Sequence, residues 1–388
     1  MALTLTLPRR DGTLHLYRLG HRPPFTPSAT PIRSRVAYAA VHVVADPLAD
    51  HDPWLDPRLD WEATLAYRRY LWSLGLAVAE AMDTAQRGMG LDWPAARELI
   101  RRSLAEAASL GGAPIVCGAG TDQLDPSPAV TLAEVETAYE EQCAWVERHG
   151  GRVVLMASRA LAACARGPED YVKVYGRVLS QVSRPVIIHW LGDMFDPALA
   201  GYWGQRDLDG ATEVFLAILH EHAPRIEGVK VSLLDKDREI AMRPRLPAGV
   251  RMYTGDDFDF PTTIRGDGVH HSDAFLGIFD AIAPAAAAAL RALDAGDSGR
   301  YDAILAPCVT LSRHVFRAPT RFYKTGVVFM AYLNGHQPHF RMVSGLESAR
   351  SVVHLAELFV LADQAGLLRD PDLAHDRMRR FLALAGID

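Results

Sequence analysis

Short apolar runs and segments of helical periodicity alternate along most of this chain. The runs cover Val36–Ala45, Gly75–Met82, Ala113–Gly118, Arg152–Ala157, Pro185–Leu191, Ile226–Ser232 and Val250–Thr254, and an eighth is read at Gly266–His271. Runs this short and continuous suit strands buried on both faces. Helical patterns lie between them at 60–74, 92–110, 131–149, 169–182 and 209–222, with a short helix expected near Phe260. Asp92 followed by Pro94 marks one helix start, and Thr131 with Glu134 has the spacing of a capping box at another. Strands that alternate with helices imply a parallel sheet. Eight of them within about 240 residues predict an α/β fold, a closed (β/α)8 TIM barrel, over residues 35–279. The alternative, an open doubly wound sheet, lacks a GxGxxG after its first strand.

The flanks read differently. Thr4–Pro8 and Leu14–Tyr17 are possible strands, and a Pro-rich linker runs from Pro23 to Pro31. Residues 1–34 are therefore expected to form a hairpin or arm laid against the main domain. From residue 280 the pattern is helical at 280–296, 300–315, 321–335, 347–366 and 371–385, which predicts a helical C-terminal extension over 280–388.

Composition narrows the classes of function. The 388 residues are 49% hydrophobic and 23% charged, with a formal net charge of −6, as expected of a soluble globular protein. No basic block supplies the positive footprint that duplex nucleic acid needs, so nucleic acid is not an expected partner. Cys117, Cys143, Cys164 and Cys308 are far apart and form no CxxC, which predicts reduced thiols and a cytoplasmic location. The first residues lack the basic start and long apolar core of a signal peptide. The Ala-rich stretch Ile282–Leu293 contains Pro284 and is too short to span a membrane.

Active sites of such barrels lie at the C-terminal ends of the strands. There the sequence places Asp46, Asp83-Thr84, Gly118, Ser158-Arg159, His189-Trp190, Lys230 with Ser232, Asp256-Asp257, and His270-His271 with Asp273. Asp46 and Ser158 are read first as helix N-caps. Lys230 stands out because it interrupts an apolar, β-branched strand. Burial disfavours an ammonium and lowers its pKa, and a neutral amine can form a Schiff base. The alternative is a lysine at a strand edge that snorkels to solvent. His189, His271 and Asp257 are also types that bind divalent metals, although no ligand-spacing motif joins them. His270 and His271, adjacent on a strand, would face opposite sides, so at most one points inward.

Several of these segments resemble the dihydrodipicolinate synthase and N-acetylneuraminate lyase superfamily of class I aldolases. Ile226-Glu227-Gly228-Val229-Lys230-Val231-Ser232 is similar to the family's Ile-Gly-Ile-Lys-Glu strand. Tyr253-Thr254-Gly255-Asp256-Asp257 resembles its Ser-Gly-Asp-Asp segment, and Arg265 to Ser272 resembles its Gly-x-x-Gly-Val-Ile-Ser strand. Arg184 to Trp190 is similar to Pro-Ile-x-Leu-Tyr-Asn, and Pro114 to Gly120 to Pro-Val-Ile-Ala-Gly-Val-Gly. Tyr323-Lys324-Thr325-Gly326 and Phe340-Arg341-Met342-Val343 look similar to the family's helical tail. The resemblance spans about residues 35–366. It implies that Lys230 is the Schiff-base lysine and that His189 stands where the family has a proton-relaying tyrosine. The departures are informative. The family's Gly-Thr-Thr-Gly-Glu carboxylate loop is here Met82-Asp83-Thr84-Ala85-Gln86, the arginine after the fifth strand is missing from Gly192-Asp193-Met194-Phe195, and the tyrosine pair is replaced by Ala157-Ser158-Arg159.

These residues predict a class I Schiff-base lyase, an aldolase or dehydratase, acting on a small carbonyl or sugar-derived substrate and distinct from dihydrodipicolinate synthase itself. Lys230 would be the nucleophile and His189 the proton shuttle. Thr84 and Ser232 would position substrate oxygens, while Asp83 and Asp256 would hold hydroxyls or orient His189. Ser158, Arg159, Trp190, Asp257 and His271 complete the expected lining, with Arg159 able to clamp an anion. This chemistry calls for no cofactor. The alternatives are a metal-dependent lyase or isomerase using His189, His271 and Asp257, and a barrel that binds a small molecule without turning it over. A homodimer or homotetramer is expected.

Overall fold

Eight of the ten strands among the described residues close into a parallel barrel in which neighbours follow chain order and the last strand pairs with the first. They are β3 (Ala37–Ala40), β4 (Ala77–Glu80), β5 (Ile115–Ala119), β6 (Val153–Leu155), β7 (Val186–Leu191), β8 (Ile226–Ser232), β9 (Arg251–Thr254) and β10 (Asp273–Leu276). The computed structural model describes residues 3–387 apart from 21, 22, 24, 27 and 29, so part of the Pro23–Pro31 linker lies outside the described residues. Helices alternate with the strands and continue into a helical C-terminal part, so the fold is the (β/α)8 barrel that the sequence predicts. No helix among the described residues is long and apolar enough to cross a membrane.

Two compact units can be described. One holds the barrel strands and comprises residues 35–41 and 77–276. The other comprises residues up to 34, 42–76 and 277–388. In that second unit β1 (Thr4–Pro8) pairs antiparallel with β2 (Leu14–Arg18). Its five long C-terminal helices are Ala283–Asp294, Ser298–Val315, Tyr323–Leu333, Val352–Gln364 and Pro371–Leu384. The hairpin is tied to them: Arg10 donates to the Glu357 carboxylate at 3.0 and 3.1 Å, and the Tyr17 hydroxyl donates to Asp363 at 2.6 Å.

Period-2 alternation sorts the barrel side chains. Tyr38, Ala40, Ala77, Ala79, Val116, Val154, Ile187, Tyr253 and Phe275 share one buried cluster inside the barrel. Continuing the same parity brings His189, Lys230 and Ser232 inward toward the C-terminal strand ends. Gly228 makes room on β8, since a Cβ there would lie 2.6 Å from the Tyr253 ring. The N-terminal face is held by ion pairs, among them Arg251 with Asp273 at 2.8 Å.

Helix starts follow the sequence signals. Asp92 accepts from the Ala95 amide, and Thr131 and Glu134 complete the capping box. Two readings are corrected. Asp46 caps no helix: it accepts from the Leu48 amide in a turn, and Asp60 caps the helix Trp61–Ser73. The eighth strand is Asp273–Leu276, and Gly266–His271 is a loop. Gly266 and Gly268 both take left-handed conformations there, with φ of 76° and 93°. Asp267 accepts from the amides of Val269 and His270, a local turn that competes with strand pairing.

Candidate active site

Lys230 and His189 sit side by side. They are direct partners in the register of β7 and β8, and both point into the barrel. Lys230 is only 6% exposed, and the Phe275 ring centroid lies 4.4 Å from its Nζ. Burial pulls the Lys230 pKa below 10.5, opposed by the carboxylates of Asp83 and Asp257. His189 is fully buried, and burial, reinforced by Lys230, pushes its pKa well below 6.5. Its imidazole is therefore neutral at pH 7. Nε2 lies 3.1 Å from Ser232 Oγ. Nδ1 has no hydrogen-bond partner among the described residues and lies 4.0 Å from Asp83 Oδ2. Gly255 closes in from the end of β9, where a Cβ would fall 2.1 Å from Ser232 Oγ and 3.1 Å from Lys230 Cε.

A neutral buried histidine makes stability pH-dependent. The unfolded chain takes up a proton on His189 as pH falls through 6.5, and the folded chain does not until much lower pH. Stability is therefore full above 6.5 and lost below it, by about 1.4 kcal/mol per pH unit from this residue. Urea unfolding at pH 7.5 and 5.5 should show this fall in the wild type, and a smaller one in His189→Phe.

Beside the pair lies a cleft of about 200 Å³ at the C-terminal ends of β4 to β7. Asp83, Arg87, Thr121, Asp122, Asp125, Arg159, His189 and Asp196 supply its polar lining. Both arginines are committed. Arg87 pairs with Asp122, and its Nη2 donates to Gln142 Oε1 at 2.8 Å. Arg159 pairs with Asp196 and donates to the Gly88 carbonyl at 2.9 Å. Four carboxylates against two paired guanidiniums leave the cleft acidic.

The structure brings some expected residues together and removes others. Asp83, His189, Lys230, Ser232 and Asp257 gather at one place. Thr84 is buried in the same turn as Asp83. Ser158 acts as the N-cap read first, accepting from the Leu161 amide, with its hydroxyl 2.6 Å from that of Thr121. Arg159 lines the cleft but is held by Asp196, so it is no open anion clamp. Trp190 has the opposite parity to His189 and packs outward on Trp203 and Phe215, at 6.1 and 5.2 Å between ring centroids. Asp256 Oδ1 accepts from the amides of Phe258 and Asp259, so this residue builds the turn after β9. His271 precedes β10 and is exposed among the charges of Arg35, Asp273 and Arg251 at the N-terminal face, away from Lys230. The proposed metal set of His189, His271 and Asp257 is therefore not assembled. No group of three or more His, Cys, Asp or Glu among the described residues is placed to hold a metal.

Arg87, Thr121, Asp122, Asp125 and Asp196 were not singled out in the sequence. A signal was present for Thr121-Asp122, which directly follow the Gly118-Ala119-Gly120 strand end.

The family described as "Protein of unknown function (DUF993)" matches residues 5–387. The chain belongs to that family. No curated protein matches it. Solved structures do match its fold. YagE, a prophage protein of the dihydrodipicolinic acid synthase family from E. coli K12, solved with pyruvate, is 14% identical with a TM-score of 0.66 over 86% of this chain and 99% of that one. The chloride-inhibited dihydrodipicolinate synthase from Acinetobacter baumannii, complexed with pyruvate, is 15% identical with a TM-score of 0.63 over 86% and 100%. A monomeric dihydrodipicolinate synthase variant is 14% identical with a TM-score of 0.61 over 86% and 98%. The chain thus has the barrel fold seen in the dihydrodipicolinate synthase family.

Proposed function

We propose that this protein is a class I lyase that forms a Schiff base between Lys230 and a small carbonyl or sugar-derived substrate. The observation that carries the reading is the buried Lys230 on the sixth barrel strand, in register with a neutral His189. Burial keeps part of the lysine as free amine, which attacks the carbonyl carbon; loss of water from the carbinolamine gives an iminium. His189, bonded to Ser232 and open at Nδ1, is the group nearest at hand to move protons during those steps. The iminium then accepts the electron pair of a bond broken one carbon away.

The acidic cleft supports a substrate without a free carboxylate. Pyruvate is the ligand of two of the structural neighbours. Here Asp83 faces the site and both cleft arginines are already neutralised, so a polyhydroxylated carbonyl compound fits better than a keto acid. We further expect a cytoplasmic homodimer or homotetramer that needs no cofactor.

The test is intact mass after borohydride treatment with pyruvate, then with short keto-sugars and aldehydes. A mass gain in the wild type that vanishes in Lys230→Ala supports the Schiff base. Labelling by sugars but not by pyruvate supports the substrate class. No labelling by any compound overturns the lyase reading and leaves a barrel that only binds.

A further inference from the structure

The unexplained feature of the site is a gap. His189 Nδ1 is completely buried, has no partner among the described residues and faces Asp83 Oδ2 across 4.0 Å. That is too far for a hydrogen bond and right for one oxygen placed about 2.8 Å from both. Both residues line the cleft; Nδ1 is closed to water as it stands, so the side chains must part slightly to admit a ligand oxygen.

We propose that Asp83 is the catalytic base that removes the proton from a substrate hydroxyl held in this gap, two carbons from the iminium carbon, which makes the reaction a reversible retro-aldol cleavage. This rests on Lys230 as the Schiff-base residue. The 3.1 Å contact with Ser232 fits either tautomer; in the one where Ser232 donates to Nε2, the ring carries its proton on Nδ1 and donates it to the hydroxyl oxygen. The hydroxyl's own proton then points at Asp83. That proton moves to the carboxylate, the O–H electron pair becomes the C=O of the departing aldehyde, and the adjacent C–C bond breaks. Its electrons go to the α-carbon and convert the iminium to a neutral enamine. Asp83 returns the proton to the α-carbon, and water releases the second carbonyl product from Lys230. Dehydration would instead need an acid to protonate the leaving hydroxyl. Burial disfavours an imidazolium at His189.

The inference is tested with Asp83→Asn, which keeps size and removes the base. The probes are 4-hydroxy-2-butanone, D-fructose and D-xylulose, with borohydride trapping read by intact mass and free aldehyde measured separately. Wild type should yield adducts of both the intact probe and its three-carbon ketone half. Asp83→Asn should trap the intact probe on Lys230 while aldehyde release falls about 10²–10⁴-fold. Retained labelling shows that the variant is folded. Wild-type cleavage rates in Asp83→Asn, or a wild-type adduct that has lost water from the intact probe, would overturn the role of Asp83 and leave the Schiff base standing. Loss of all labelling in a folded Asp83→Asn would also overturn it, by placing Asp83 at iminium formation. A wild type that no probe labels would instead remove the Lys230 reading on which the inference rests.

Discussion

Lys230→Met is expected to abolish borohydride-trapped adducts and to leave a protein more stable than the wild type. The loss of turnover should be on the order of 10⁴–10⁶, the scale seen when a covalent nucleophile is removed. The gain in stability follows from the direction of the Lys230 pKa. Two carboxylates, Asp83 and Asp257, favour the ammonium, yet burial outweighs them and the pKa is lowered. The folded state therefore disfavours the charge that the unfolded chain carries freely. Methionine fills nearly the same space with no charge to desolvate. A gain of about 1–3 kcal/mol is expected at pH 7, in line with buried charges replaced by apolar residues of similar volume. The sign can be checked by titration. A lysine with a lowered folded pKa costs stability below its unfolded value of about 10.4, and the cost fades as pH rises toward that value. The difference in urea midpoint between variant and wild type should shrink from pH 7 to pH 10. A variant less stable than wild type would mean that Lys230 mainly balances Asp257. A structural lysine of that kind would be a poor nucleophile.

How much of this site was legible in the sequence depends on whether the signal was local. The strand Ile226–Ser232 was read to its ends, because β-branched residues around one lysine make a local pattern. The resemblance places Lys230 and His189 in one site, and the register that makes them direct partners comes from the structure. Trp190 was misplaced although strand parity alone separates it from His189: adjacent residues of one strand cannot both point inward. His271 falls outside the site because the eighth strand begins only at Asp273, one segment after the run that resembles it. Val269-His270-His271 resembles strand sequence, but two left-handed glycines and the Asp267 turn decide otherwise. Most of the acidic cleft is not legible in the sequence, although Asp83 is, and Asp122 directly follows the Gly118-Ala119-Gly120 strand end. Asp122, Asp125 and Asp196 stand on loops, where the choice of partner is set by how distant loops meet.

The loop after β4 shows what such non-local choices hold in place, and Arg87→Met is expected to be the most destabilising single change near the site. Arg87 is 4% exposed. It donates to the carbonyls of Ala81 and Gly118, both at 3.2 Å, as well as to Asp122 and Gln142. Ala81 has a positive φ of 54°, a conformation that costs a residue with a Cβ about 1–2 kcal/mol. Arg87 thus fastens a strained turn two residues before Asp83. Burial alone would raise the Asp122 pKa, but Arg87 and Gln142 outweigh it and hold it below 3.8. That pairing stabilises the fold above pH 3.8 and is lost as pH falls through the depressed value. Removing the guanidinium leaves Asp122, whose side chain is 20% exposed, without its counter-ion and the buried Ala81 and Gly118 carbonyls without their donor, which typically costs about 1–3 kcal/mol. Arg87→Met should lose this much in urea unfolding at pH 7, and less near pH 4, where Asp122 can take a proton. The double variant Arg87→Met, Asp122→Leu should regain part of the stability, because no charge is left unpaired. It should not regain turnover, since nothing then anchors the Ala81 carbonyl and the turn that aims Asp83 at His189. Recovery of both together would show that the arginine serves charge balance alone and that the Asp83 turn holds its shape without it.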